Sequence, residues 1–204
     1  ASASHARDYD IRDYGAVGGG TEDCREAILK AIGKCSAKGG GRVIIPEGKW
    51  LSCGPVIMKS DVELHLAEGA ELVFSSDPED YLPAVKTRWE GTECWNWSPL
   101  IYAVDQDNIS FTGKGTINGS GSGNFATWKP KQKADQKEIR RMGTEQVPVD
   151  ERIFGEGHWL RPAMLEVIRC NGLRIEDLTF VDSPFWVIHP IECDDVTVRG
   201  VTVH

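Results

Sequence analysis

Carboxylates, one histidine and two arginines placed beside tryptophans are the residues of this chain whose types could do chemistry. Asp194-Asp195 is an adjacent acid pair, and Glu166, Asp177 and Asp182 are further acids in the last third of the chain. Two carboxyl groups can share acid–base work, one held protonated and one ionised to activate water. His189 follows a short apolar run, where an imidazole can carry a proton or meet a ligand. Its other reading is a buried histidine bonded to a neighbouring backbone group. Arg88 precedes Trp89, and Arg161 stands two places after Trp159. In both places a guanidinium fork suited to a carboxylate lies next to an indole face. His204, at the end of the sequence, is a further candidate. No CxxC motif and no His/Cys cluster suggests a metal.

The elements that must position these residues repeat. Cys170-Asn171-Gly172-Leu173-Arg174-Ile175 and Leu178 to Phe180 align with Cys193-Asp194-Asp195-Val196-Thr197-Val198 and Val201 to Val203 at an offset of 23. Short alternating segments at this period, with no helix between them, predict a β-solenoid whose coils stack through parallel strands. The offset puts Asp194-Asp195 on Asn171-Gly172 and on Asp107-Asn108, a recurrent turn where Asn, Asp and Gly tolerate left-handed backbone. The acid pair therefore reads as structure. His189 falls on Glu166 one coil earlier, about 4.8 Å away by strand spacing.

A single helix precedes the coils. Cys24, Ala27, Ile28, Ala31, Ile32 and Cys35 form one apolar face over about residues 23–38, with Asp23 as N-cap and Glu26 as its capping-box partner. Such a helix can plug the open core of the first coil. Val62 to Ile109 spans 47 residues, close to two periods, and excursions are expected at 77–98 and 118–161. The second follows from matching Pro99-Leu100-Ile101-Tyr102-Ala103 to Pro162-Ala163-Met164-Leu165-Glu166. The whole reads as one domain over 1–204: cap 8–41, first coils 42–117, loop insertion 118–161 and further coils 162–204. The pattern is expected to continue past His204, which leaves the last coil as an exposed edge.

Composition narrows the classes. With 40% apolar residues the chain can bury a sizeable core. A net charge of −8 argues against nucleic-acid binding, and no apolar run is long enough to span a membrane. Cys24 and Cys35 lie roughly 16 Å apart along the helix, too far for a disulfide. Cys170 and Cys193 fall at equivalent corners of adjacent coils and read as a small apolar stack, so the six cysteines read as thiols, with Cys53 and Cys94 the least constrained. The start, Ala1-Ser2-Ala3-Ser4 without Met, suits a processed terminus.

Asp13-Tyr14-Gly15-Ala16, Gly40-Gly41-Arg42-Val43-Ile44-Ile45-Pro46-Glu47-Gly48, Gly113-Lys114-Gly115-Thr116-Ile117-Asn118-Gly119, Arg161-Pro162 and Ser183-Pro184-Phe185-Trp186-Val187-Ile188-His189-Pro190 together resemble glycoside hydrolase family 28. That family contains the polygalacturonases and rhamnogalacturonan hydrolases. The resemblance implies an all-β, right-handed parallel β-helix, single-stranded and helix-capped. It also implies inverting hydrolysis of α-linked galacturonic-acid bonds in pectin, without metal or cofactor, by a secreted or periplasmic protein. The family's Asn-x-Asp, Asp-Asp, Gly-His-Gly and Arg-x-Lys motifs are not found in this sequence. By periodicity the first would fall just past His204, so this chain is expected to carry the cap and part of the cleft rather than the catalytic carboxylates. Inversion needs two carboxyl groups roughly 6.5–9.5 Å apart, and no such dyad can be assigned among the acids of this chain.

On this reading His189, Arg161, Arg88, Trp89, Trp159 and His204 are the substrate-binding candidates. The partners are a pectic polysaccharide or oligogalacturonide and the remaining C-terminal part of the same protein, with neither nucleic acid nor membrane. Trp95, Trp97 and Trp128 lie on the same excursions and either stack on sugars or staple loops to the solenoid, whereas Trp186 is expected to pack. The basic stretch Lys129–Arg141 is either an anion-attracting patch or a solvated helical flap. A Ca²⁺-dependent polysaccharide lyase and a non-catalytic carbohydrate-binding or adhesin β-helix are the alternative classes.

Overall fold

The computed structural model describes residues 7–204; the Ala1–Ser4 start lies outside them. Three parallel sheets run the length of the molecule, and the chain visits them in turn. Sheet A contains Asp8–Asp10, Gly41–Ile45, Val62–Leu66, Ile109–Thr112, Asn171–Glu176 and Asp194–Arg199. Sheet B contains Gly48–Ser52, Ala70–Phe74, Thr116–Asn118, Thr179–Val181 and Thr202–Val203. Sheet C contains Val56–Ile57, Ile101–Val104, Leu165–Ile168 and Ile188–Ile191. This is a right-handed parallel β-helix.

Alternation along each strand sends every second side chain inward, so equivalent apolar residues stack from coil to coil. Val43, Leu64, Phe111, Ile175 and Val198 form one such file, and Trp50, Leu72, Ile117, Phe180 and Val203 another. The terminal repeat pairs as its offset of 23 requires, with Leu173 on Val196 and Phe180 on Val203. Asp61, Asn108, Gly172 and Asp195 all take positive φ at the turn entering sheet A. Asp195 is thereby a turn residue. Gly113 (φ +96°) is held to glycine more tightly, since an added Cβ would lie 2.0 Å from the Leu66 carbonyl oxygen.

Helix α1 (Arg25–Ala37) closes the first coil, with Ala27, Ile28, Ala31, Ile32 and Cys35 buried. The cap differs from expectation. Cys24 is the N-cap residue, and Asp23 Oδ1 accepts from both Arg25 N (3.0 Å) and Cys53 N (2.9 Å). Asp23 thus ties the helix start to the adjacent coil, while Glu26 meets Arg25 at the surface rather than closing a capping box.

Two spacings resolve differently from the periodic reading. Glu63 pairs directly with Ser110, so the 47-residue span is one coil carrying an excursion, not two coils. Tyr102 pairs with Glu166, one place away from the match suggested by the two prolines. Both excursions leave at the same corner, between sheets B and C. The first forms an antiparallel hairpin, Val85–Trp89 with Thr92–Asn96. The second contains helix α2 (Lys129–Thr144) and returns as Ile153–Phe154, which pairs in parallel with the hairpin. They share a small core of Trp89, Cys94, Ile139, Phe154 and Leu160. Burial there pushes the Cys94 thiol up to about 12.

Candidate functional site

The hairpin lies over the outer face of sheet C, and the site forms where that cover ends. Tyr102, Glu166 and His189 occupy one outward-facing file on three successive strands. Tyr102 donates its hydroxyl to the Lys86 carbonyl of the hairpin. Glu166 is 1% exposed and receives the Thr87 hydroxyl on Oε2. Its Oε1 lies 2.9 Å from Nδ1 of His189. A buried carboxylate needs such partners, because a bare charge away from water is very costly. His189 keeps a small exposed surface at the mouth.

The link from sheet B to sheet C in the fourth coil, 182–187, supplies aromatic rings. Trp89 stacks on Phe185 with centroids 5.0 Å apart and planes 8° from parallel. Phe185 lies against Trp186 at 5.5 Å and 5°, so three nearly parallel rings run outward. Trp89 is 3% exposed and donates its indole N–H to the Arg161 carbonyl (3.1 Å). Trp186, at the outer end, is 43% exposed and stands perpendicular to His189, with centroids 5.0 Å apart. Trp186, expected to pack, does lie against Phe185 and His189, with 43% of its surface left exposed at the entry to the last strand of sheet C.

A narrow pocket between hairpin and link has about 10 Å³ of free volume, roughly the room of one water. Arg88, Trp89, Glu166, Trp186 and His189 line it. Asn96 also lines it; its Nδ2 donates to the Leu160 carbonyl at 2.9 Å, and its buried Oδ1 has no protein donor among the described residues. The arginines differ. Arg88 forms ion pairs with Glu192 and, at 3.8 Å, with Glu93. Arg161 lies over the Phe185 ring (5.2 Å) and donates to Gln132 Oε1 and the Pro184 carbonyl. Burial pulls its guanidinium below the ordinary arginine range.

The remaining candidates sit apart. Trp159 faces the ammonium of Lys131 (5.4 Å), and its backbone N–H donates to Asp135 Oδ2. His204 extends sheet B, its N–H donating to the Phe180 carbonyl, and it does not line the pocket. Trp97 and Trp95 are staples, donating to His158 and Asp150. Helix α2 is more than a solvated flap. Gln132, Asp135 and Ile139 are buried, and Asp135 also accepts from His158 Nδ1 (2.8 Å). Thr87, Asn96 and Phe185 were not singled out from the sequence. The hairpin that places the first two carries no periodic signal, while Phe185 lay within a motif already quoted.

Comparison with known proteins agrees with this architecture. No protein-family model matches the chain. The crystal structure of a hyperthermoactive exopolygalacturonase from Thermotoga maritima superposes with a TM-score of 0.92 at 38% identity, covering 97% of this chain and 47% of that one. A "probable polygalacturonase" of Vitis vinifera is 26% identical over 100% of this chain and 38% of its own length. An exo-poly-alpha-D-galacturonosidase of Dickeya chrysanthemi is 34% identical over 63% of this chain and 21% of its own length. The chain therefore spans less than half the length of each of these relatives.

Proposed function

We propose that this chain, which belongs to glycoside hydrolase family 28, forms the substrate-holding part of a pectin-degrading hydrolase that cleaves α-linked galacturonic-acid bonds by inversion. The observation that carries this reading is the ring stack ending in Trp186 beside the His189–Glu166 pair. A pyranose presents C–H bonds on its faces and polar groups at its rim. An exposed indole next to an imidazole matches both, as an apolar body beside a polar edge.

In this proposal the chain is one β-helix domain whose parts hold substrate. His189, Arg88 and Trp89 belong to the pocket, and Arg161 supports it through Phe185. Trp159 and His204 are assigned to the flanks of a longer cleft. The acid and base of inversion are not assigned to any residue of this chain. The substrate is a pectic polysaccharide or an oligogalacturonide, met outside the cytoplasm, and the reaction uses no cofactor. No helix among the described residues is long and apolar enough to cross a membrane.

The test is turnover of polygalacturonate by the full-length protein, following reducing ends and the absorbance of unsaturated uronide together. Release of reducing ends without that absorbance is expected. Unsaturated product would replace hydrolysis by elimination. Binding without turnover would make the domain a carbohydrate-binding module.

A further inference from the structure

We propose that the strand Val85–Trp89 is a transverse strap, fastened over sheet C only once the fourth coil is in place. The inference stands apart from the pectic reading, because it concerns how the cover closes and not what binds beneath it. Three consecutive residues of this strand meet three successive coils. The Lys86 carbonyl accepts from the Tyr102 hydroxyl in the second coil. The Thr87 hydroxyl donates to Glu166 in the third. Arg88 pairs with Glu192 at the end of the fourth. One place earlier, Val85 packs with Val104, Ile168 and Ile191, the next outward file of the same strands.

The end of the strap is held by charge. Asp105, Arg169 and Glu192 follow the paired residues Val104, Ile168 and Ile191, and all three take positive φ (55°, 50° and 51°) at the turn leaving sheet C. Signs alternate along this stack. Arg169 donates to both Asp105 oxygens, at 2.6 and 3.1 Å, and lies 3.9 Å from Glu192. Arg88 brings a second cation to Glu192, and Glu93 on the facing strand of the hairpin lies 3.8 Å from the same guanidinium. Hairpin and corner thus form one run of alternating charge. The partners come late along the chain. Tyr102 is 16 residues from Lys86, but Glu166 is 79 from Thr87 and Glu192 is 104 from Arg88. Contacts of such separation follow local ones, because the entropy of closing the loop is lost before they form. The hairpin is local, whereas its hold on the scaffold waits for the fourth coil. Arg88 and Trp89 line the pocket with Glu166 and His189, so the pocket closes last.

The experiment follows hydrogen exchange in the full-length protein by mass spectrometry. In the native state, Arg88→Met and Glu192→Gln should each quicken exchange in 85–96 about two- to fivefold, the scale of one partly exposed ion pair. Together they should cost no more than one alone, because they remove the same contact. Ile188 packs on the core side of the fourth coil, away from the hairpin. Ile188→Ala should therefore loosen that coil from within and quicken 85–96 together with 188–191, roughly tenfold or more, while 62–74 keeps its protection. During refolding from denaturant, 85–96 should gain protection in the same phase as 188–191 and after 62–74. Exchange in 85–96 that ignores Ile188→Ala would overturn the proposal. So would additive costs in the paired variant, or protection of 85–96 ahead of 188–191 during refolding. The native-state arms decide the question by themselves where refolding is irreversible.

Discussion

Glu166 sits where the energetic stakes of the site are highest, because its carboxylate is buried and both of its protein partners come from other elements. Removing one partner leaves a buried acceptor without a donor, a loss usually larger than the bond's net contribution. Thr87→Val keeps the volume and deletes only the hydroxyl. It is expected to destabilise the protein by about 1–3 kcal/mol, read as a lower denaturant midpoint at unchanged slope. An unchanged midpoint would mean that solvent already serves Oε2. The pairing of His189 with Glu166 was legible in the sequence, because a constant offset maps each residue onto its neighbour in the stack. The Thr87 contact was not. It depends on how a hairpin folds back, and no repeat encodes that. The order of the ring stack was not legible for a related reason. In Phe185-Trp186-Val187 all three residues are apolar, and only the fold decides which ring is innermost.

The elements divide into a scaffold whose strands repeat and a pair of excursions that do not. The strands announce themselves by alternation, and α1 by its apolar face. The excursions gave only their limits, because their small core joins residues as distant as Trp89 and Leu160. The 47-residue coil was open to misreading because its excursion happens to add about one period. Their shared core makes the excursions a unit able to open separately from the coils. Ile139→Ala, in α2, removes a fully enclosed side chain, and losses of this kind cost about 2–5 kcal/mol. Hydrogen exchange should quicken in 85–96 and 129–160 while the strands of sheets A and B keep their protection. Uniform acceleration across the molecule would refute this independence.

At the scale of the whole molecule, stability is a sum over neighbouring coils plus the closure of the core's end. Helix α1 supplies that closure at the first coil. Ile28→Asp would put an unpaired carboxylate into the interface, whereas Lys30→Asp changes the exposed face of the same turn. The first is expected to abolish the cooperative unfolding transition and the second to leave it within about 0.5 kcal/mol. Equal effects would show that the helix does not seal the core. The shared corner of the two excursions has a further consequence, in the entropy of chain closure. Stacked positions in sheet A are joined by 23 residues in the coil at the end and by 64 where the larger excursion intervenes. In an ideal flexible chain that difference costs only about 0.9 kcal/mol, because the penalty grows with the logarithm of length. The ladder is thus nearly indifferent to how much chain leaves and returns at that corner. Segments of quite different size could be exchanged there, and a new surface acquired, while every strand below and above keeps its partner.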